Sequence, residues 1–189
     1  MKRLYAYAAM LVLTHGTALA ADASVIGDWL VKDGYANIRI DNCGGRMWGI
    51  VAWEKTPGFD VENPDPAKKS RPTLGMPVLM GLSPAKEPGK WSGEIYNSNN
   101  GKMYSATISL ADENTLDLEG CLVWPLCQTQ KWTRVKTPPP NAAPLPPLPG
   151  AVKQAPPVKK GAAAAPQSEV CTRIAAEAAP APGAGTAKK

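Results

Sequence analysis

The sequence predicts an all-β fold, a single small eight-stranded antiparallel up-and-down barrel. Between positions 25 and 135, short stretches rich in β-branched and aromatic residues are separated by turn signals at regular intervals. None of these stretches has the convincing periodicity of an amphipathic helix. Gly27-Asp28-Trp29 opens the region and Trp132-Thr133-Arg134 closes it, as we expect if the first and last strands meet. Closure into a barrel also removes unpaired sheet edges.

Turn signals divide this region into eight predicted strands. Asp33-Gly34 is a strong two-residue hairpin signal, and Cys43-Gly44-Gly45 and Ser98-Asn99-Asn100-Gly101 mark later turns. In 102–110 apolar and polar residues alternate, as in a strand with one polar face. Pro77 weakens the fourth strand, because proline lacks the N–H that pairs strands. The predicted strands are Val25–Lys32, Tyr35–Asp41, Arg46–Glu54, Leu74–Leu82, Lys90–Asn97, Lys102–Leu110, Thr115–Leu122 and Leu126–Val135, and the irregular stretch Lys55–Thr73 follows the third.

Residues 1–21 have the features of a secretory signal peptide. Two basic residues precede an apolar run at 4–13, which is shorter than the roughly 18 residues that a membrane helix needs. A small-x-small tripeptide ends at Ala20, so we expect cleavage before Ala21 and a mature domain at 22–137. This pattern predicts export to the periplasm, with secretion as the alternative. No later stretch is long and apolar enough to be a transmembrane segment.

The composition changes abruptly at residue 138. Residues 138–189 contain twelve prolines, fifteen alanines and no aromatic residue. Such a segment cannot bury enough apolar surface to offset its ordering entropy, so we predict a disordered Pro/Ala-rich tail that favours extended polyproline II. Only 167–179 has the composition for a short helix, and a helix of that length is marginal alone.

Formal charge also differs between the domain and the tail. The domain at 22–137 has 13 basic and 14 acidic residues, whereas the tail has 6 basic and 2 acidic ones. A near-neutral domain argues against a nucleic-acid partner. The cationic tail fits either a solvated linker or a segment that contacts a cell-wall or envelope partner.

Motifs across the domain resemble two related groups of proteins. Gly27-x-Trp29 on the first strand, with an arginine on the last, resembles the end-closure signature of the calycin barrels (lipocalins and relatives). This resemblance implies that Arg134 lies across Trp29 and closes one end through a cation–π contact. The wider sequence resembles the bacterial domain of unknown function 2147 family, which implies an exported calycin-like domain and lends no known activity. The matching stretches are Gly27-Asp28-Trp29, Ile40-x-x-Cys43-Gly44, Gly49-Ile50-Val51-Ala52-Trp53, Asp60-x-x-Asn63-Pro64-Asp65, Arg71-Pro72, Gly75, Gly93-x-Ile95-Tyr96-Asn97, Asn100-Gly101-Lys102-x-Tyr104 and Trp132-Thr133-Arg134.

The irregular loop contains the most suggestive polar segment. Oxygen-bearing side chains stand at Asp60, Glu62, Asn63 and Asp65, but the glycine and glutamate of an EF-hand loop are missing. Asp65 precedes a proline and is a good helix N-cap, and we expect Arg71 to pair with Asp60 and pin the loop. A role at a pocket rim and a metal site are the alternatives.

Catalytic chemistry has few candidates in this sequence. The only histidine, His15, lies in the predicted signal peptide, so the mature domain lacks the imidazole of a Ser-His-Asp triad or a usual zinc site. A carboxylate pair with a tyrosine could still perform acid–base chemistry. Because the mature domain lacks histidine, we nevertheless predict no catalytic residue, no metal and no cofactor. The candidate ligand-binding residues are Asp60, Asn63, Asp65, Arg71, Tyr96 and Tyr104.

The four cysteines are constrained by the predicted meander. Cys121 and Cys127 flank the seventh turn and could bridge across it, whereas Cys43 sits at the second turn, on the opposite end of the barrel. That separation exceeds the Cα span of about 4.4–6.8 Å that a disulfide allows. We predict a Cys121–Cys127 disulfide, because an exported protein meets oxidising conditions. Cys43 and Cys171 are then either free or joined to each other, and Cys171 could instead link two chains.

Three functions follow from these observations. An eight-stranded barrel either fills with side chains or holds one small ligand. The leading hypothesis is a calycin-type module that binds a small apolar or amphipathic ligand, which enters near the 55–73 loop and the Cys121–Cys127 turn. The alternative is an envelope structural protein with a filled barrel and a tail that reaches the cell wall. A carboxylate-based hydrolase or isomerase is the third.

Overall fold

The computed structural model describes residues 24–123, 125–148 and 168–178. Eight antiparallel strands follow one another around a closed barrel, and each strand pairs with its neighbours in sequence. The predicted signal peptide, with its cleavage site at Ala20 and Ala21, lies outside the described residues. The strands are β1 (Gly27–Leu30), β2 (Ala36–Cys43), β3 (Arg46–Glu54), β4 (Pro77–Pro84), β5 (Lys90–Asn97), β6 (Lys102–Asp112), β7 (Thr115–Val123) and β8 (Leu126–Arg134). Within the described residues, a 3-10 turn (Pro66–Lys68) and an α-helix, α1 (Glu169–Ala178), complete the elements.

The eight-stranded antiparallel barrel confirms the fold class that the sequence predicts. Two predicted strands, β3 and β5, have the same bounds in the structure, and the clearest difference is at the start of β4. Residues 73–76 form a turn, in which Gly75 has a φ of 84° and the N–H of Met76 donates to the carbonyl of Thr73. The strand therefore begins at Pro77, a first position where proline is tolerated because no ladder hydrogen bond is lost.

The barrel closes where β1 meets β8. Trp29 pairs with Arg134 in the strand register, and the guanidinium carbon of Arg134 lies 4.1 Å from the centre of the Trp29 ring. Arg134 also donates hydrogen bonds to the carbonyls of Ser24, Ile26 and Glu113, at 2.6, 3.0 and 2.6 Å. The first strand, the last strand and the β6–β7 turn are thereby joined at this end.

Gly27 explains why a glycine stands two residues before this tryptophan. Its φ is 132°, and an added Cβ would lie 2.9 Å from the guanidinium of Arg134. A side chain here would both strain the backbone and displace the arginine.

The core of the barrel consists of apolar side chains from all eight strands, with Trp29 and Trp132 buried among them. Trp91 is only partly buried against this core. Trp132 also borders the open space described below.

Part of the predicted tail packs on the outside of the barrel. Helix α1 contacts β2 and β3, and a disulfide joins Cys171 to Cys43. Val170 is fully buried, and so is Ile50, which lies on the outer face of β3 because its neighbour Val51 points inward. The disordered tail predicted over 138–189 is therefore not what the structure has at 168–178. There a covalent link and apolar burial stabilise a helix that is marginal alone.

The preceding part of the tail also contacts the domain. Leu145 packs against the barrel core, and the carbonyl of Pro146 accepts a 2.7 Å hydrogen bond from Arg173 of α1. In the described part of the chain, no helix is both long enough and apolar enough to cross a bilayer.

Candidate functional site

The barrel encloses a cavity of about 660 Å³. Its lining includes residues of the β1–β2 and β5–β6 turns and the strand residues that flank the β7–β8 turn, all at the end opposite the Trp29–Arg134 contact. The cavity is therefore open at that end and closed at the other. Its volume falls within the range of about 300–1,000 Å³ that is usual for small-molecule sites.

The walls combine apolar side chains with a ring of polar groups. Apolar atoms come from all parts of the wall, whereas the polar groups concentrate towards the turns. Within the described residues, no lysine or arginine lines the cavity. The apolar and aromatic lining residues are Val31, Tyr35, Ala36, Ile38, Val51, Val78, Ile95, Tyr96, Tyr104, Leu118, Leu122, Leu126 and Trp132, and the polar ones include Asp33, Glu54, Asn97, Ser98, Asn99, Gln128 and Gln130.

Glu54 places a carboxylate inside this cavity. It is the last residue of β3, and the hydroxyl of Thr73 donates a 2.8 Å hydrogen bond to its Oε2 atom. Burial raises the pKa of Glu54 above its ordinary value, and the hydrogen bond from Thr73 opposes that rise. No motif in the sequence marks Glu54 as a site residue.

A bulge turns Glu54 inward. Ile38 of β2 pairs with Val51, but Asn37 pairs with Trp53, so one extra residue of β3 is accommodated between them. Strict alternation along β3 from the inward-facing Val51 would point Glu54 outward. Because of the bulge, Val51 and Glu54 both line the cavity. The sequence contains no clear signal for this irregularity.

Four of the predicted site residues form one cluster, in which three side chains contact the buried carboxylate of Asp60. Asp60 is fully buried and accepts hydrogen bonds from the hydroxyl of Tyr96 and the amide of Asn63, each at 2.6 Å. Arg71 forms a salt bridge with the same carboxylate at 2.8 Å. Tyr96 belongs to the cavity lining, so this cluster connects the barrel wall to the 55–73 loop.

The protonation behaviour of this cluster suits a structural clamp. Burial alone would raise the pKa of Asp60, but hydrogen bonds from Tyr96, Asn63 and Arg71 and the charge of Arg71 lower it below its ordinary value. Burial and the neighbouring Asp60 carboxylate raise the pKa of Tyr96 to about 12. Near neutral pH the carboxylate is held ionised and the phenol is held protonated, so neither group is poised to exchange a proton.

The remaining two candidates, Asp65 and Tyr104, do not join this cluster. Asp65 caps the 3-10 turn, where its side chain accepts a 3.0 Å hydrogen bond from the N–H of Ala67. Tyr104 lines the cavity, and its hydroxyl accepts a hydrogen bond from the amide of Asn100. The structure thus places Asp65 in the capping role that its sequence position indicates.

The cysteines form two disulfides, Cys121–Cys127 across the β7–β8 turn and Cys43–Cys171 between the barrel and α1. The first stands at the mouth of the cavity and the second at the closed end. Glu119 lies close to the Cys121–Cys127 pair, but bonded sulfurs offer no thiolate to a metal ion.

Exposed apolar side chains line the mouth of the cavity. Tyr35 lies in the β1–β2 turn, and Leu122 and Leu126 flank the β7–β8 turn; these three belong to the cavity lining and are between 49% and 65% exposed. Solvent-exposed apolar groups gathered at one end indicate a surface that meets an apolar molecule. Val123, beside the same β7–β8 turn, and Phe59 and Val61 of the 55–73 loop are exposed as well.

Arg71 links the cluster to the tail helix as well. Its guanidinium lies 3.1 Å from a carboxylate oxygen of Glu177 on α1, beside a groove of about 450 Å³ on the outer wall of the barrel. The clamp at Asp60 is thus bordered by the cavity on one side and by α1 on the other.

Comparisons with known proteins agree with this architecture. In Helicobacter pylori, the protein HP1028, described as belonging to the lipocalin family, has a similar structure, with a TM-score of 0.55 and 17% sequence identity over 60% of this chain and 84% of that chain. At this identity the likeness concerns the fold alone. A comparison with curated proteins gives no match. Residues 27–134 match the family described as "Uncharacterized protein conserved in bacteria (DUF2147)", and the chain therefore belongs to that family.

Proposed function

We propose that this protein is an exported module that binds one small apolar or amphipathic ligand inside its barrel. The observation that carries the proposal is the cavity of about 660 Å³, which is closed at one end and lined by apolar side chains with a polar ring. The apolar rim supports an amphipathic ligand, because such a molecule can contact the rim while it enters. The lipocalin-like fold is consistent with this activity.

Export rests on two features of the chain. Residues 1–21 have the pattern of a signal peptide, and all four cysteines are paired in disulfides. Disulfides persist in oxidising compartments such as the periplasm. Expression with residues 1–21 in a bacterial host, followed by fractionation and non-reducing electrophoresis, tests the location.

The open interior favours this proposal over the envelope protein with a filled barrel. A filled barrel would leave no space for a ligand, whereas this barrel contains a cavity whose volume is usual for a small-molecule site. The cell-wall role of the tail has a further constraint. Cys171 is tied to Cys43, so the middle of the tail is anchored on the barrel instead of extending from it.

Gly120 provides a direct test of the cavity. It lines the cavity on β7, and a Cβ added there would meet no atom within 4 Å. Gly120→Phe should therefore fill the interior without a backbone clash. Thr129 on β8 is exposed, and it points outward because Gln128 and Gln130 line the cavity, so Thr129→Phe is the matched control.

The measurement is binding of N-phenyl-1-naphthylamine, a neutral apolar fluorescent probe, to the purified mature protein. We expect Gly120→Phe to weaken probe binding at least about tenfold, since the ring occupies the space, and Thr129→Phe to leave it unchanged. Absence of probe binding to the native protein, or equal binding by Gly120→Phe, would contradict the proposal. Native mass spectrometry of the freshly purified protein checks independently for a retained lipid.

A further inference from the structure

We propose that the cavity selects an amphiphile with a cationic, hydrogen-bond-donating head group, which Glu54 receives. The inference rests on the proposed function and specifies its ligand class. It follows from the charges in the cavity wall, from the position of Glu54 and from the contacts that hold this carboxylate.

The charged groups of the lining are of one sign. Asp33 and Glu54 contribute carboxylates, and no cationic side chain lines the cavity in the described part of the chain. Arg71, the arginine of the 55–73 loop, is paired with Asp60 and Glu177. Inside the cavity, an anionic head group would therefore meet two carboxylates and no cationic side chain of the described lining to offset the repulsion.

Glu54 stands where a head group would lie. In the strand register Glu54 pairs with Ala36 of β2, next to the β1–β2 turn at the open end of the barrel. The apolar pair Ile38 and Val51 lies deeper in the cavity. An amphiphile that inserts its chain first would place its head at the level of Glu54. The other titratable groups in the lining are Asp33 and three tyrosines, and none of these carries a positive charge.

The Glu54 carboxylate is held in place before any ligand arrives. Thr73, which is only 8% exposed, donates to Oε2, and the N–H of Gly58 donates in turn to the Thr73 hydroxyl at 3.2 Å. In the described residues this hydroxyl provides the only hydrogen bond to the carboxylate. A fixed, half-buried carboxylate with one donor can accept further hydrogen bonds from an ammonium group, which also restores the favourable electrostatics lost by burial.

Three ligands with the same twelve-carbon chain test this inference. Dodecylamine, 1-dodecanol and dodecanoate compete with N-phenyl-1-naphthylamine for the full-length mature protein at pH 7.5, below their aggregation concentrations. We expect dodecylamine to displace the probe at a concentration at least about tenfold lower than dodecanoate, with dodecanol between them. Glu54→Gln should remove most of the preference for the amine and leave the affinity for dodecanol unchanged.

Glu94→Gln is the matched control. Glu94 is an exposed glutamate on β5 that does not belong to the cavity lining, so its replacement changes net charge equally without touching the site. This variant should keep the amine preference. Equal or tighter binding of dodecanoate, or an unchanged preference in Glu54→Gln, would overturn the inference while the proposed ligand binding stands. Failure of all three ligands to displace the probe would overturn both.

Discussion

The hydroxyl of Tyr96 donates a 2.6 Å hydrogen bond to the fully buried carboxylate of Asp60. Tyr96 belongs to the wall of the cavity and Asp60 to the long loop between β3 and β4, so this bond fixes the loop to the rim of the barrel. Asn63 and Arg71 engage the same carboxylate from within the loop. The ionised Asp60 carboxylate is therefore one attachment of this loop to the barrel, and the hydrogen bond from Thr73 to Glu54 is another.

Asp60→Asn should destabilise the protein by about 3 kcal/mol at pH 7, because it leaves Arg71 without its buried partner. The pKa of Asp60 is lowered in the folded state, so its contribution is present above the unfolded pKa of about 4 and is lost as pH falls through the folded pKa. Urea unfolding from pH 7 to pH 2.5 measures the difference between the two proteins. The gap should be constant down to about pH 5 and narrow at lower pH.

The exposed loop residue Glu62 provides the control, since Glu62→Gln alters the charge of the same loop without touching the cluster. A gap that stays constant to pH 2.5, or that appears equally in Glu62→Gln, would contradict the role assigned to Asp60.

Glu54→Gln should stabilise the protein at neutral pH, whereas Asp60→Asn should destabilise it. Burial raises the pKa of Glu54, so the stability that this group contributes is present below its unfolded pKa of about 4.3 and is lost as pH rises through the folded pKa. The variant is therefore expected to melt at a higher temperature than the native protein at pH 7.5 and at the same temperature at pH 4. Differential scanning calorimetry at the two pH values checks this, and a lower melting temperature at pH 7.5 would show that the carboxylate stabilises the empty barrel.

The sequence predicts the fold and the closed end of the barrel better than it predicts which side chains line the cavity. The closed end was predictable because Gly27, Trp29 and Arg134 form a recognisable motif with one physical purpose. The pairing of Asp60 with Arg71 was predictable because both stand in the same loop. The inward position of Glu54 was not predictable, because a bulge in its own strand pair, β2–β3, reverses the side on which it lies.

The tail illustrates a second limit of sequence reasoning. The composition of 167–179 predicts only a marginal helix. In the structure α1 lies against β2 and β3, and both Val170 of α1 and Ile50 on the outer face of β3 are fully buried. For Cys43 and Cys171, the sequence leaves free thiols, a mutual disulfide and a link between two chains through Cys171 as alternatives. Only the folded barrel brings the outer face of β3 and α1 together.

Arg134→Lys should destabilise the closed end of the barrel by about 2 kcal/mol, although the charge is retained. A lysine cannot donate to the carbonyls of Ser24, Ile26 and Glu113 at once, and its compact ammonium stacks less well on Trp29. Chemical denaturation measures the loss. Lys131→Arg on the same strand, at an exposed position, should leave stability within about 0.5 kcal/mol of the native value.

Replacement of Cys43 and Cys171 by serine should release α1 from the barrel. Without the cross-link, the ten-residue helix retains Val170 and its ion pairs as attachments, and a helix this short is unstable once detached. Hydrogen exchange followed by mass spectrometry should show faster exchange across 169–178 and across the β3 segment that contains Ile50. The Cys121→Ser, Cys127→Ser double variant is the control, because its disulfide lies at the opposite end and its loss should leave exchange in α1 unchanged. Equal protection of α1 in both variants would show that noncovalent packing alone holds the helix on the barrel.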